Sequence, residues 1–353
     1  VPDLVQLAQS VANGIVFGAI LALCAIGLTL VYGILNLSNF AHGDTLTLGA
    51  YMTFLFGTTL WLGAHVSWWG LGVGLALAAI MALDAFVTRK LRRLERGVVL
   101  AFAGVLAAQA SFVLLRDPSP AATTDPVLVL AALLAIAATV VFYVLLEFAL
   151  WRPLRRRGAT VLSLVIASLG LSIVMRGALQ LWFGGDQVSL QRGTVASSAF
   201  AGVLLSRSDV ATVVIAALLI LGVHLLLAYT RIGKAMRALA DNRDLARVCG
   251  IDVDRTVVYV WVLAAALVAV AGVLLCLKQN NSLTIGMGFG VLIPIFASVL
   301  LGGLGSPYGA MVGGLVVGLA MRLGPAKYDL AWAFLVLIAV LLIRPQGILG
   351  RKA

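Results

Sequence analysis

In YGILNLSNFAHGDTLTLGAY (residues 32–51), Asn36, Ser38, Asn39, His42, Gly43 and Asp44 interrupt two long apolar runs with polar and glycine residues. Backbone inside a bilayer must find its own hydrogen bonds, so such a break is tolerated only where protein covers it or water reaches it. A helix that restarts after the break turns unpaired N–H groups and the positive end of its dipole toward the break. That arrangement suits a carboxylate. The pattern returns in VLLGGLGSPYGAMVGGLVVGLA (residues 299–320), where Gly303, Gly305 and Ser306 precede a helical start at Pro307. Ser306 can cap that helix with Pro307 in its first position, and Asp44 can cap a run from Thr45. Two uses are open: the polar side chains satisfy the helix starts themselves, or the starts face an anionic group. The candidates for a translocation path or gate are therefore Asn36, Asn39, Phe40, His42, Gly43, Asp44, Gly303, Gly305 and Ser306. Arg176, deep in VLSLVIASLGLSIVMRGALQLW, joins them in a pathway or anchoring role, because cations within spans face the bundle interior.

Other chemistry fares worse. His42 and Asp44 are two apart, pointing different ways on a helix, and no other histidine is near in sequence, so no catalytic constellation forms. Cys24, Cys249 and Cys276 sit singly and define neither a metal site nor a disulfide framework. His224 reads as a lone histidine packed on an apolar face. No G-x-x-x-x-G-K-[ST] run is present, so nucleotide hydrolysis would fall to another chain, and no cofactor is expected here.

The elements that must position these groups are membrane spans. Of 353 residues 62% are hydrophobic and only 11% charged, which makes an all-α polytopic membrane protein. Apolar runs occupy residues 11–32, 45–63, 67–87, 98–115, 126–149, 161–182, 209–229, 256–277, 286–301, 307–321 and 330–343. That gives about eleven transmembrane segments, including the two broken or reentrant ones. The opening residues carry no cationic leader and no small-residue cleavage site, so the first run is expected to be retained.

Eighteen of the 25 Lys and Arg fall in four clusters, at residues 89–96, 152–157, 231–255 and 344–352. An even number of spans separates successive clusters, so all four can share one side. The positive-inside bias then puts the N-terminus outside and the C-terminus in the cytoplasm. The net charge of +11 belongs to this topology rather than to nucleic acid. Asp84 and Glu147 lie near basic clusters and are expected to snorkel to the interface. Residues 117–125 and 184–207 read as plain outer connectors. Residues 231–255 alternate acids and bases with Ala, Leu and Val at helical spacing, ending at Gly250: one amphipathic cytoplasmic helix. Gly305, Gly309 and Gly313, with Gly314 and Gly318, predict close helix packing.

Five ordered blocks carry a resemblance: NGIVFGAILALCAIGLTLVYGILNLSNFAHGDTLTLGAY (13–51), WRPLRRRGAT (151–160), RALADNRDLARVCGIDVDR (237–255), LLGGLGSPYGAMVGGLVVG (300–318) and RPQGILGR (344–351). Together they resemble the LivH-like permease subunit of branched-chain amino-acid ABC importers, and LSNFAHGD is similar to the neutral amino-acid permeases of cyanobacterial type. The likeness covers roughly residues 12–64 and 127–351.

The resemblance implies a multi-pass subunit of the bacterial cytoplasmic (inner) membrane. It would work with a second permease subunit, related or identical, two ABC ATPase subunits that bind ATP and Mg, and a periplasmic amino-acid-binding protein. By match to the family's cytoplasmic loop it assigns ATPase coupling to Arg237, Ala240, Asp241, Asn242, Asp244, Ala246, Gly250 and Ile251. Residues 64–126 stand out as an extra two-span insertion in what is otherwise a single permease domain. A relative of the same architecture could carry urea or another small polar solute. A self-sufficient channel or secondary transporter would also fit two broken helices, but it lacks the repeated midspan ionisable groups that would bind a driving ion.

Overall fold

The computed structural model describes residues 2–62, 125–190, 197–200, 203–324, 328–344 and 346–350. The expected spans at 67–87 and 98–115, the insertion around them and Asp84 lie outside the described residues. The helices are α1 (Pro2–Leu35), α2 (His42–Leu62), α3 (Asp125–Leu146), α4 (Arg152–Arg156), α5 (Val161–Phe183), α6 (Arg207–Tyr229), α7 (Arg231–Asp241), α8 (Arg243–Val248), α9 (Val253–Lys278), α10 (Met287–Gly302), α11 (Pro307–Leu323) and α12 (Asp329–Ile343). Among the described residues five helical stretches are long and apolar enough to cross a membrane: Leu4–Leu35, Val127–Arg156, Val161–Phe183, Arg207–Tyr229 and Val253–Lys278. α10, α11 and α12 are shorter apolar helices.

α1 is the central helix, with 94% of its most apolar window buried, whereas α5 and α6 bury only 22% of theirs. The centre is built on small residues. α11 runs antiparallel along α1, and a Cβ added at Gly14 or Gly18 would stand 3.0 Å from the α carbon of Leu319 or Leu315. Gly314 lies against Ala22, and Gly318 against the backbone of Gly18. On its other side α11 sets Gly309 against Gly302 and Gly313 against Ser298 of α10. The glycine spacing read from sequence thus serves two packing faces at once, because absent side chains let backbones approach.

Several sequence expectations are corrected. Residues 231–255 form two helices. Asn242 (φ −154°) closes α7 and then caps α8, its Oδ1 accepting from the N–H groups of Asp244 (3.1 Å) and Leu245 (2.9 Å). Gly250 (φ +82°) does end the segment, with the Ile251 N–H donating back to the Ala246 carbonyl at 3.0 Å. Residues 117–124 lie outside the described residues, and the connector at 184–207 is not plain. β1 (Val188–Ser189) pairs antiparallel with β4 (Ser282–Leu283), and β2 (Ser197–Phe200) pairs with β3 (Val203–Ser206).

Glu147 does not snorkel. It is 3% exposed, pairs with Arg155, and accepts from Trp261 Nε1 at 2.7 Å. It opens a π turn, Glu147–Trp151, between α3 and α4. Pro153 supplies the cause: it has no N–H to donate and its ring crowds the preceding turn, so the helix widens there.

Candidate functional site

The first break spans residues 36–41. α1 ends at Leu35, and Asn36 takes the left-handed conformation (φ +51°), tolerable for its short polar side chain, while its N–H closes on the Tyr32 carbonyl at 2.8 Å. The chain then folds back, and Asn39 Oδ1 accepts from the Ala41 N–H at 3.2 Å to set the turn into α2.

His42, wholly buried, locks that turn to two helices. Its Nε2 lies 3.0 Å from the Cys24 carbonyl, which can only accept, so Nε2 donates and Nδ1 is left to accept from the Tyr143 hydroxyl at 3.3 Å. Asn39 Nδ2 donates to the same hydroxyl at 3.4 Å. A directed chain therefore runs Asn39 to Tyr143 to His42 to Cys24. Gly27 leaves the room for the imidazole, whose Cε1 would be 3.3 Å from a Cβ at that position.

Asp44 was expected as a cap. It lies instead in the first turn of α2, which begins at His42, and its carboxylate is held by the Ser172 hydroxyl and by Arg176 of α5, with Nε and Oδ1 3.1 Å apart. These two atoms lack hydrogen-bond alignment, so the contact is charge on charge. Arg176 also donates to Ser172 Oγ at 2.9 Å and lies over the Phe289 ring at 4.2 Å. A buried carboxylate with no cation beside it would be prohibitively costly, and the pair is what makes the charge tolerable.

The opposite wall is the start of α10. A Cβ at Gly43 would stand 2.5 Å from the Gly288 carbonyl oxygen, and the Gly288 N–H donates to Thr47 Oγ1 at 3.0 Å. Phe40 packs on Phe296 of α10 with ring centroids 4.8 Å apart and the rings tilted by 31°, and its N–H donates to Ser168 Oγ at 3.2 Å. Residues 37–44 thus pack among α1, α3, α5 and α10, while Asn36 at their start is exposed.

The second break spans residues 303–306. Ser306 caps α11 as read, accepting from the Gly309 N–H at 3.1 Å with Pro307 next. Gly303 (φ +103°) and Gly305 (φ +80°) make the turn. The Gly305 N–H donates to Thr29 of α1 at 3.1 Å. The C-terminal tail closes it from another side, the Ile348 and Leu349 N–H groups donating to the Leu301 and Gly302 carbonyls at 2.8 and 3.0 Å. α1 connects the two breaks: a Cβ at Gly33, in its last turn before the first break, would stand 3.2 Å from the Gly305 α carbon.

Around the coupling candidates, Arg237, Ala240, Asp241, Asn242, Asp244 and Gly250 are exposed, Ile251 is half-buried and Ala246 is buried. α7 turns Gly233, Met236 and Leu239 inward. Burial, then the neighbouring Arg155 and Arg247, hold the Arg243 guanidinium below its ordinary value. Leu245 and Val248 of α8 are 61% and 85% exposed, an apolar pair among charges that the sequence reading passed over. Ser168, Ser172, Tyr143, Thr29 and Phe289 were missed too. Only the apolar setting of Asp44 hinted that partners on other helices were needed. Among the described residues no group of His, Cys, Asp and Glu could hold a metal ion.

A polytopic helical bundle with a folded-back polar break at its heart is the architecture of a membrane transport protein. The chain belongs to the family described as branched-chain amino acid transport system / permease component, which it matches over residues 10–124 and 96–344. It is 31% identical to the high-affinity branched-chain amino acid transport system permease protein BraD of Pseudomonas aeruginosa, over 99% of this chain and 98% of that one. It is 29% identical to LivH of Escherichia coli K12 (97% and 95% covered), and 28% identical to a probable LivH of Methanocaldococcus jannaschii (96% and 91%). No solved structure matches.

Proposed function

We propose that this chain is a translocation subunit of an ATP-driven importer of branched-chain and other neutral, hydrophobic amino acids. The observation that carries the reading is the likeness to BraD along 99% of the chain. It stands against the readings as a urea carrier or a self-sufficient channel. The fold adds support: α7 and α8 present an amphipathic, partly apolar surface that two ABC ATPase subunits would grip. A second permease subunit would cover the bare faces of α5 and α6, and a periplasmic binding protein would deliver the solute. In this reading the protein crosses a bacterial inner membrane about eleven times, with the N-terminus outside and the basic clusters inside.

The mechanism is alternating access. Closure of the ATPases pushes α7 and α8. α6, which leads into α7, and α9, which follows α8, carry the displacement to α1, against which α10 packs. The packing of residues 36–44 against α10 then opens toward one side or the other. Asn36, Asn39, Phe40, His42, Gly43, Asp44 and Arg176 form the inner gate, with Gly303, Gly305 and Ser306 as the hinge of α10 and α11. ATP and Mg bind the partners.

Reconstitution of the complete complex in proteoliposomes with its binding protein tests this. Uptake of labelled leucine that needs ATP and every subunit is expected. Leucine flux through this chain alone, without ATP, would refute it.

A further inference from the structure

We propose that the arginine pocket at the end of α3 is a binding site for the phosphate of an anionic phospholipid. The pocket, about 330 Å³, is lined by Phe148, Arg152, Pro153, Arg156 and Arg157. It rests on the break in helix geometry described above: across the π turn, Phe148, Arg152 and Arg156 follow at intervals of four and share one side of the stem.

Its charge is unbalanced. Arg152 pairs with Asp254 of α9, and Arg156 reaches the same carboxylate at 3.7 Å, so two guanidinium groups share one exposed acid. Among the described residues no acid pairs with Arg157. Arg155, the remaining member of the run, is turned away to Glu147. The surplus is two positive charges beside an aromatic ring over which Arg152 lies at 5.5 Å.

Guanidinium forks match phosphate oxygens two at a time. A basic pocket where an apolar span ends is at the depth of lipid headgroups. Phe148 and Pro153 give the pocket an apolar floor, and the span Val127–Arg156, only 33% of whose most apolar window is buried, leads away from it. A diacyl phosphate fits both halves, whereas a soluble phosphate would leave the apolar half uncovered.

Native mass spectrometry of the full chain in detergent, titrated with phosphatidylglycerol, phosphatidylcholine or glycerol phosphate, reads the site. Wild type should retain one phosphatidylglycerol more than Arg156→Gln/Arg157→Gln, whose affinity for it falls about thirtyfold. Phosphatidylcholine should bind both alike, and glycerol phosphate should not displace the retained lipid. Asp254→Asn, which frees Arg152 and Arg156, should bind phosphatidylglycerol more tightly, a sign that mere unfolding would not produce. Equal lipid retention by wild type and the double variant, displacement by glycerol phosphate, or weaker binding by Asp254→Asn would each overturn the assignment.

Discussion

Asp44 on α2 and Arg176 on α5, 132 positions apart in the chain, place opposite charges 3.1 Å from each other in the interior of the bundle. The pair fixes the first turn of a helix that starts inside the fold, and it joins that start to a helix otherwise bare on most of its surface. Asp44 is fully buried, while Arg176 keeps 29% of its side chain exposed. The pair can therefore part on the arginine side more readily than on the aspartate side.

Arg176→Gln should leave Asp44 buried without its cation, at a cost of about 3 kcal/mol, the low end for a broken buried pair because Arg176 is partly exposed. Asp44→Asn/Arg176→Gln should recover much of that. Thermal unfolding of the two variants in detergent checks it, and a double variant no more stable than Arg176→Gln would show that the two side chains act separately.

Tyr143→Phe removes the hydroxyl that His42 and Asn39 share and leaves a buried imidazole nitrogen without a donor. A loss of about 1–3 kcal/mol is expected. Tyr143→Phe should also lower uptake more than Tyr32→Phe, a substitution away from this chain of bonds; leucine uptake beside thermal stability measures both.

Gly309→Leu and Gly318→Leu both add bulk where a Cβ already meets backbone. Each should cost more than the roughly 1–3 kcal/mol of ordinary overpacking, because backbone cannot yield as a side chain can. Gly222→Leu, at a position with nothing within 4 Å, is the control and should fold normally. Folded yield by size-exclusion chromatography distinguishes them.

Leu245→Asp/Val248→Asp alters only exposed side chains, so the chain should stay folded while the transporter loses coupling. Gly250→Ala forces a left-handed residue to carry a Cβ, at about 1 kcal/mol, and should act in the same direction more weakly. The readout is leucine transported per ATP hydrolysed. An unchanged ratio in the double variant would remove α8 from the docking surface.

The sequence was most informative where one residue settles a local geometry. Ser306 with Pro307 announced the start of α11, Gly250 the end of α8, and the glycines from 305 to 318 a crowded interface, since capping, left-handed backbone and close approach are each local requirements. Asp44 misled because the same side chain that caps a helix can pair across the fold, and its partner Arg176 is reached only through tertiary structure. Asn242 misled in the other direction: inside a charge-patterned stretch it looks like one more solvated residue, yet its side chain ends one helix and begins another. Glu147 followed neither rule, because the widened turn ahead of Pro153 rotates it inward toward Trp261. The short ribbons β1–β4 and β2–β3 had too few residues for an alternating pattern to show.

The account turns on whether residues 36–44 must move against α10 for solute to pass. Phe40→Cys/Phe296→Cys, placed where the two rings now meet with centroids 4.8 Å apart, allows a short thiol cross-linker to tie the break to α10 in the reconstituted complex. Leucine uptake should stop on cross-linking, while each single-cysteine variant treated alike keeps transporting, and uptake should return when a reducible linker is cleaved. Undiminished uptake by the fully cross-linked protein would contradict the account.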